Sequence, residues 1–591
     1  MMAYMRALSA TAANPSPRSE LDAALAACRG AFLGVGLMSF MINILYLTGS
    51  FFMLEIYDRV LPSRSVPTLV GLSILAGGLY VALGVLDLIR NRIVVRVGSS
   101  LNEAMATRIY QAVVQLPLLV GNRNEGLQPL RDLDSIRGFL SGGGPGALFD
   151  LPWLPLYLGI CFAFHLLIGL TALTGAVVLI GLTILTEVLT RDPVRQSTQL
   201  GMRRSELASA SRRNAEALMA MGMTKPLAQR WAALNDEYLA TQQHASDAGG
   251  GVGAISKVLR MVLQSAVLAV GAWLVINQQA TAGVIIAGSI LSARALAPVD
   301  LAIAHWRSLV SARQSWARLN RVLIGIPADE FHTQLQPPKQ TLRVENVSVA
   351  PPGDQKIVVQ DISFAVDAGH GVGIIGPSGS GKSSLVRTLV GVWRPARGNV
   401  RLDGAALSQW SPDSLGHHVG YLPQDVELFE GTIAQNIARF DPEAKADDII
   451  AAATEAGVHD LITRMRDGYD TEVGEQGRVL SAGQAQRIAL ARALYGLPFL
   501  VVMDEPNSNL DAEGDTALTR AVQAVRSRGG VVVVVAHRPV GVEGVDLLLM
   551  MKEGRLQAFG PKEQVLSQVL QRASPQAPAI KIVSDAGVAK P

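Results

Sequence analysis

The chain has 591 residues, 49% of them hydrophobic and only 17% charged. That length exceeds a single core, and that mean hydropathy (+0.29) excludes an ordinary soluble protein of this size. A net charge of +3 gives no basis for nucleic-acid binding, and two distant cysteines, Cys28 and Cys161, build neither a disulfide framework nor a metal site.

The hydrophobicity concentrates before about residue 305. Residues 1–20 mix Pro, Ser, Arg and Ala and read as a short flexible tail. Ala31–Leu54 and Ser65–Leu86 carry no charged residue, and each can cross a bilayer. A crossing needs about 20 residues at about 1.5 Å rise. Leu151–Thr186 is too long for one crossing and splits near His165–Gly169; Met261–Ala293 splits at Asn277–Gly283. Six spans are therefore predicted.

Lys and Arg placement sets their orientation. The short turns near His165 and Gln278 carry neither residue, whereas the stretches between spans two and three and between spans four and five are rich in Arg. Both long stretches, and both termini, are expected in the cytoplasm. Their helical spacing of Leu, Met and Ala reads as spans extended beyond the membrane. His165 marks an external turn, and Asp87 at the inner end of span two is expected to be solvated. Arg294 lies inside span six, where a charge either lines a polar path or snorkels to the cytoplasmic face; Pro298 is placed to bend that helix.

The second half has ordinary globular composition. Leu342–Val349 alternates as a strand, and Val372–Ile375 is an apolar strand running into Gly376, Pro377, Ser378, Gly379, Ser380, Gly381, Lys382, Ser383 and Ser384. Strand, glycine loop and helix are the context of a Walker A phosphate loop. Its glycines let N–H groups curl around phosphates and the helix start adds a positive dipole end. Lys382 is placed to reach the β- and γ-phosphates and Ser383 to offer its hydroxyl to Mg²⁺. Phe499–Met503 is an all-apolar strand, as in a buried parallel sheet. Asp504 at its end is placed to hold Mg²⁺, and Glu505 to orient or deprotonate the attacking water. His537, after the all-apolar Val531–Val535, suits a switch beyond the γ-phosphate.

Leu480–Gln484, reading LSAGQ, resembles the signature sequence of ATP-binding cassette (ABC) proteins, in which Ser481, Gly483 and Gln484 close over ATP held by a second subunit. Gln424 in Tyr421–Gln424 resembles the Q-loop glutamine, a Mg²⁺ and water contact. Thr471–Glu475 resembles the X-loop of exporters, and Ser508–Asp511 the D-loop, with Asp511 counted among the nucleotide contacts. Six spans with two long cytoplasmic excursions resemble the ABC exporter membrane domain, with coupling elements near Gln115–Gly121 and Leu218–Lys225. The resemblance implies a helical membrane domain fused to an α/β P-loop ABC ATPase. Its parts are a tail (1–28), a six-span domain (29–325), a linker (326–340), an ATP-binding domain (341–573) and a flexible end (574–591). It also implies ATP and Mg²⁺ as cofactors and a second copy of the chain as partner.

Two departures stand out. Ala482 replaces the usual first glycine of the signature, a small change that leaves ATP closure intact. No Phe, Tyr or Trp occurs from His332 to Ser363. The adenine-stacking aromatic is therefore missing and Pro351 occupies about its place, so loose base selectivity and GTP turnover are expected.

Leu54–Arg64, Leu130–Arg137, Phe149–Leu156, Ala295–Val299, Gly391–Pro395, Arg401–Gly404, Gly420–Asp425 and Asp504–Asp511 resemble type I protein secretion ATPases. The nearest group is the protease- and lipase-secretion exporters (PrtD-like), over roughly residues 25–570. That family implies export of unfolded polypeptides with an uncleaved C-terminal signal from the bacterial inner membrane. A periplasmic adaptor and an outer-membrane channel serve as its partners. About 30 residues precede span one, too few for a peptidase domain, so leader cleavage is not expected. The competing reading is a lipid or small-molecule exporter of the same architecture.

Overall fold

The computed structural model describes residues 19–121, 126–326, 335–474, 477, 479–536 and 543–573. The chain divides into two compact units, one of residues 1–114 and 124–328 and one of residues 115–123 and 329–591.

In the first unit, six helical segments among the described residues are long and apolar enough to cross a membrane. They are Arg29–Ser63, Val66–Val120, Gly144–Phe164, Leu166–Arg213, Thr224–Ile276 and Ala282–Gly325, called spans one to six. Spans two, four, five and six have 55, 48, 53 and 44 residues, roughly twice the ~20 that a bilayer core requires. The Arg-rich stretches thus continue the spans as helix. The turns between spans three and four and between spans five and six are short because side chains stop the helices. His165 is extended (φ −167°) and accepts from the Leu167 N–H at 3.1 Å. Gln278 takes a left-handed φ of 57°, and Thr281 caps span six. Helix α1 (Glu20–Ala27), with Leu21 buried, leads into span one, and residues 1–18 of the expected flexible tail lie outside the described residues.

Buried charges in this unit are paired, as a low-dielectric interior demands. Arg90 of span two and Asp150 of span three are each 7% exposed. The Arg90 Nη1 donates to both Asp150 oxygens at 3.0 and 3.1 Å and to Ser39 of span one at 3.1 Å. Asn43 donates to Asp150 at 2.9 Å, and Tyr157 to Asn43 at 2.8 Å. Asp87 bonds Arg90 at 2.7 Å and so is an ion-pair partner, not merely a solvated charge. Farther on, Asp132 in helix α2 (Gln128–Leu140) takes a two-toothed bond from Arg318 and a third from Ser315. Near the start of span six Asp58 accepts from the Thr281 hydroxyl at 2.6 Å and the Gly283 N–H at 2.9 Å. It thereby satisfies one of the amides that the first turn of a helix leaves unpaired. Arg294 is exposed and stacks over the Tyr46 ring at 4.5 Å, a cation–π contact with span one.

The second unit holds two sheets. One is antiparallel, order β2-β1-β4-β5, from Val359–Asp367, Thr341–Val349, Arg397–Leu402 and Ala405–Ala406. The other has order β10-β9-β3-β8-β7-β6, from Arg555–Pro561, Leu547–Lys552, Gly371–Ile375, Val531–Val535, Leu500–Asp504 and Val419–Leu422. Strands β6, β7, β8, β3 and β9 run parallel. Every residue of β7 and β8 is buried, which is why they read as continuous apolar runs. The helix start of the phosphate loop and the acidic end of β7 thus lie at the same, carboxyl edge of the sheet. Gln115–Gly121 belongs to this unit, and Gly121 and Gly353, both at positive φ, abut the Pro352 and Val120 carbonyls with no room for a Cβ.

Candidate nucleotide site

The phosphate loop leaves β3 at Ile375 and enters helix α4 (Lys382–Leu389), α3 being Ala215–Ala220 in the first unit. Gly376, Gly379 and Gly381 have φ of 155°, 77° and 90°. Gly381 shows why glycine is required: a Cβ there would stand 2.9 Å from the Val358 carbonyl, besides the unfavourable φ. Lys382 is 5% exposed, and its Nζ donates to the Gly376 and Pro377 carbonyls at 2.9 and 3.0 Å. Burial lowers its pKa from the ordinary lysine value, against the opposing pull of Glu505 and Asp504. The ammonium therefore sits between the loop it braces and the two carboxylates.

Asp504, 1% exposed at the end of β7, has its pKa raised by burial, with a Ser383 hydrogen bond working the other way. One carboxylate oxygen, Oδ1, is buried without a hydrogen-bond partner, and so is the Ser380 hydroxyl. Such orphans are costly unless something fills the gap. A serine hydroxyl beside a carboxylate is a hard-oxygen donor set of the kind Mg²⁺ takes together with phosphate. Glu505 is held in the left-handed region (φ 52°) by its N–H bond to the Val535 carbonyl at 3.1 Å. Backbone strain of this kind costs about 1–3 kcal/mol and gathers at functional positions. The Gln424 Nε2 donates to Glu505 Oε2 at 3.2 Å. Residues from the phosphate loop, β6 exit and β7 exit thus converge on one point.

The signature lies elsewhere on the unit. Ser481 and Gln484 form a capping box at the start of helix α5 (Ala482–Leu494): the Ser481 hydroxyl accepts from the Gln484 N–H at 3.3 Å and the Gln484 side chain accepts from the Ser481 N–H at 2.9 Å. Ser481 and Ala482 are exposed. Gly483 fits because a Cβ would press on the Asn509 carbonyl at 3.0 Å. Asp511 caps helix α6 (Ala512–Ser527) through the Gly514 N–H and also bonds Arg487 at 2.5 Å.

Two residues on α5 escaped the sequence reading. Gln486, 2% exposed, donates to the Pro506 carbonyl and accepts from the Asn509 N–H at 3.1 Å. Arg487, 8% exposed, grips Asp511. A polar pair on the buried face of an otherwise apolar helix was the available signal. In the loop where an adenine-stacking aromatic was expected, Pro351 is half-buried and Ile357 is 44% exposed. His537 and Glu475 lie outside the described residues.

A phosphate loop, a buried magnesium-type aspartate, a carboxylate beside it and a capped signature helix, behind six spans, define an ABC exporter. Residues 359–508 match the family model described as ABC transporter, and residues 32–299 match ABC transporter transmembrane region. Type I secretion system ATP-binding protein PrsD of Rhizobium meliloti (strain 1021) is 57% identical over 569 residues, spanning 96% of this chain and 98% of that one. Toxin RTX-I translocation ATP-binding protein of Actinobacillus pleuropneumoniae is 28% identical, over 91% of this chain and 77% of the relative. A solved bacterial Atm1-family ABC exporter with ATP bound is similar at a TM-score of 0.79 and 25% identity, covering 94% of this chain and all of that one. The chain belongs to the family of type I secretion ATP-binding proteins. It is a multi-pass membrane protein, an ABC exporter for protein secretion that binds ATP and couples its hydrolysis to transport.

Proposed function

We propose that this exporter sits in the bacterial inner membrane with its ATPase half and both termini in the cytoplasm. There it moves unfolded polypeptides with an uncleaved C-terminal signal, joined by a periplasmic adaptor and an outer-membrane channel. The observation that carries this reading is the near full-length, 57% identity to a type I secretion ATP-binding protein. Asp150, which joins Arg90 and Asn43 in a buried polar network, lies in Phe149–Leu156, one of the stretches that resemble that group.

Two copies of the chain form the working unit. ATP phosphates lie along Gly376–Ser384 of one copy, with Lys382 turning from its loop carbonyls to the β- and γ-oxygens. Ser481, Gly483, Gln484 and Asp511 of the other copy close over the same nucleotide. Ser383, Asp504 and Gln424 would hold Mg²⁺, which would supply charge neutralisation at the phosphates. Glu505, positioned by Gln424, takes the proton of the attacking water, and His537 contacts the γ-phosphate. Phosphoryl transfer is mostly positioning and charge stabilisation, which is what this set offers.

Deleting the gene and comparing culture-medium proteins tests the assignment. Loss of specific secreted proteins is expected. An unchanged secretome with an altered membrane lipid profile would replace protein secretion by lipid export.

A further inference from the structure

The first unit contains a cavity of about 470 Å³ between spans four, five and six, lined among others by Thr190, Gly253, Lys257, Arg260, Asp300 and Trp306. Its residues fall at the cytoplasmic margins of the hydrophobic runs Leu151–Thr186 and Met261–Ala293. The opening therefore belongs to the aqueous inner mouth of the spans. Glycine makes the room. Gly250 and Gly253 in span five line the cavity, and a Cβ on either would meet nothing within 4 Å. Glycine inside a helix costs about 1 kcal/mol relative to alanine, so the space has an energetic cost that packing does not repay.

The charge is one-sided. Arg307 joins Lys257 and Arg260 on the wall, against the single carboxylate of Asp300. Asp300 is already paired with Arg260 at 2.8 Å and accepts from Ser256 at 3.2 Å. Lys257 and Arg307 make no ion pair among the described residues. The Trp306 Nε1–H is buried without a hydrogen-bond partner. The Thr186 and Thr190 hydroxyls spend their protons on helix carbonyls. What remains is a set of unspent donors and two cations around empty space.

We propose that this cavity holds an acidic segment of the exported polypeptide, with a side-chain carboxylate between Lys257 and Arg307 and within reach of Trp306. The proposal rests on the protein-secretion reading above. A peptide suits the wall better than a lipid does. The aliphatic lining residues Ala245, Ile303 and Ala304 are few and lie among hydroxyl and charged side chains, so they form no lane for an acyl chain, while bare glycine lets a peptide backbone come close.

The full-length transporter in nanodiscs of zwitterionic lipid would be titrated with a fluorescent peptide of repeated Asp-Gly-Ser and with its Lys-Gly-Ser counterpart, read by anisotropy. The acidic peptide should bind and the basic one should not. Lys257→Ala and Arg307→Ala should each weaken binding about tenfold, the scale of a charge-assisted hydrogen bond. Lys257→Arg should stay within about twofold, because the charge is kept. Gly253→Leu should abolish binding by filling the cavity, with an unchanged elution volume as the folding check. Equal binding of both peptides, or of wild type and Lys257→Ala, overturns the proposal. Displacement of the peptide by nanodiscs containing phosphatidylglycerol, with loss of that effect in Arg307→Ala, assigns the cavity to a lipid headgroup instead and overturns it too. If peptide binding fails while gene deletion still empties the medium of specific proteins, only the cavity assignment falls. If deletion leaves the medium unchanged, the secretion reading falls with it.

Discussion

The Gln424 amide donates to the Glu505 carboxylate at 3.2 Å, joining the loop after β6 to the acidic exit of β7. The glutamine can thus turn the carboxylate toward a water, and a shift of its loop changes where that carboxylate points. Glu505→Gln should lower kcat by roughly 10²–10⁴, the usual contribution of a positioned general base, while ATP stays bound. Single-turnover hydrolysis with a parallel nucleotide-binding measurement checks it; normal turnover would remove Glu505 from the role of base. Gln424→Ala should cost less, because it removes the positioning group and leaves the base.

Arg487→Ala should lower ATPase activity several-fold although Arg487 belongs to no expected nucleotide motif. The change frees Asp511 and the D-loop from the signature helix. Arg487→Lys should recover part of the rate, since charge returns without the planar fork. Rates normalised to the folded, nucleotide-binding fraction separate this from simple destabilisation, which would lower the apparent kcat only in proportion to the lost active protein and leave KM alone.

Asp150→Ala should destabilise the membrane unit by about 3–5 kcal/mol, the cost of leaving one partner of a buried ion pair uncompensated. Arg90 then loses both Asp150 bonds of its Nη1 and keeps only the partly exposed Asp87 as a counter-charge. Thermal unfolding of the detergent-solubilised chain reads the change. The double variant Arg90→Leu with Asp150→Leu should recover much of the loss, because no buried charge then remains.

Asp546 joins β3 and β9: it bonds His370, the Gly371 N–H at 2.8 Å and Arg526 at 3.0 Å. Burial pushes its pKa up, but the His370, Gly371 and Arg526 contacts outweigh it and the net shift is downward. A depressed carboxylate pKa adds stability above the ordinary carboxylate value and loses it as pH falls through the folded value. Asp546→Asn should therefore bring acid unfolding in at higher pH, measured by tryptophan fluorescence. A coincident acid transition in variant and wild type would show that the cluster adds nothing.

Base selectivity gives a fifth expectation. With Pro351 and Ile357 where an aromatic is expected, GTP should support turnover within about tenfold of ATP. Stacking of an aromatic ring is worth about 0.5–1.5 kcal/mol. Pro351→Tyr should accordingly tighten ATP by roughly three- to tenfold. A strong wild-type preference for ATP contradicts the expectation.

Much of this was legible in the chain. Val372–Ile375, Phe499–Met503 and Val531–Val535 announced a buried parallel sheet because strands covered on both faces need no polar alternation. The glycines of the phosphate loop announced themselves because left-handed φ leaves few substitutes. The short turns between spans were found at His165 and Asn277–Thr281 because polar residues interrupt apolar runs. Long-range pairing was not legible. Nothing local to Asp87 says that Arg90 also reaches Asp150, or that Asp58 caps a helix more than two hundred residues away. Arg294 illustrates the limit: its spacing allowed a path or a snorkel, and the structure stacks it on Tyr46. Gln486 and Arg487 were hidden for the same reason, since their partners lie beyond an intervening strand.

The helix that presents Ser481 carries, one turn later, the two side chains that hold Pro506, Asn509 and Asp511. Helix and loop consequently move as one body. The surface that presents Ser481 cannot tilt without dragging the segment just past Glu505, so a movement of the signature is passed mechanically to the loop that follows the acidic exit of β7.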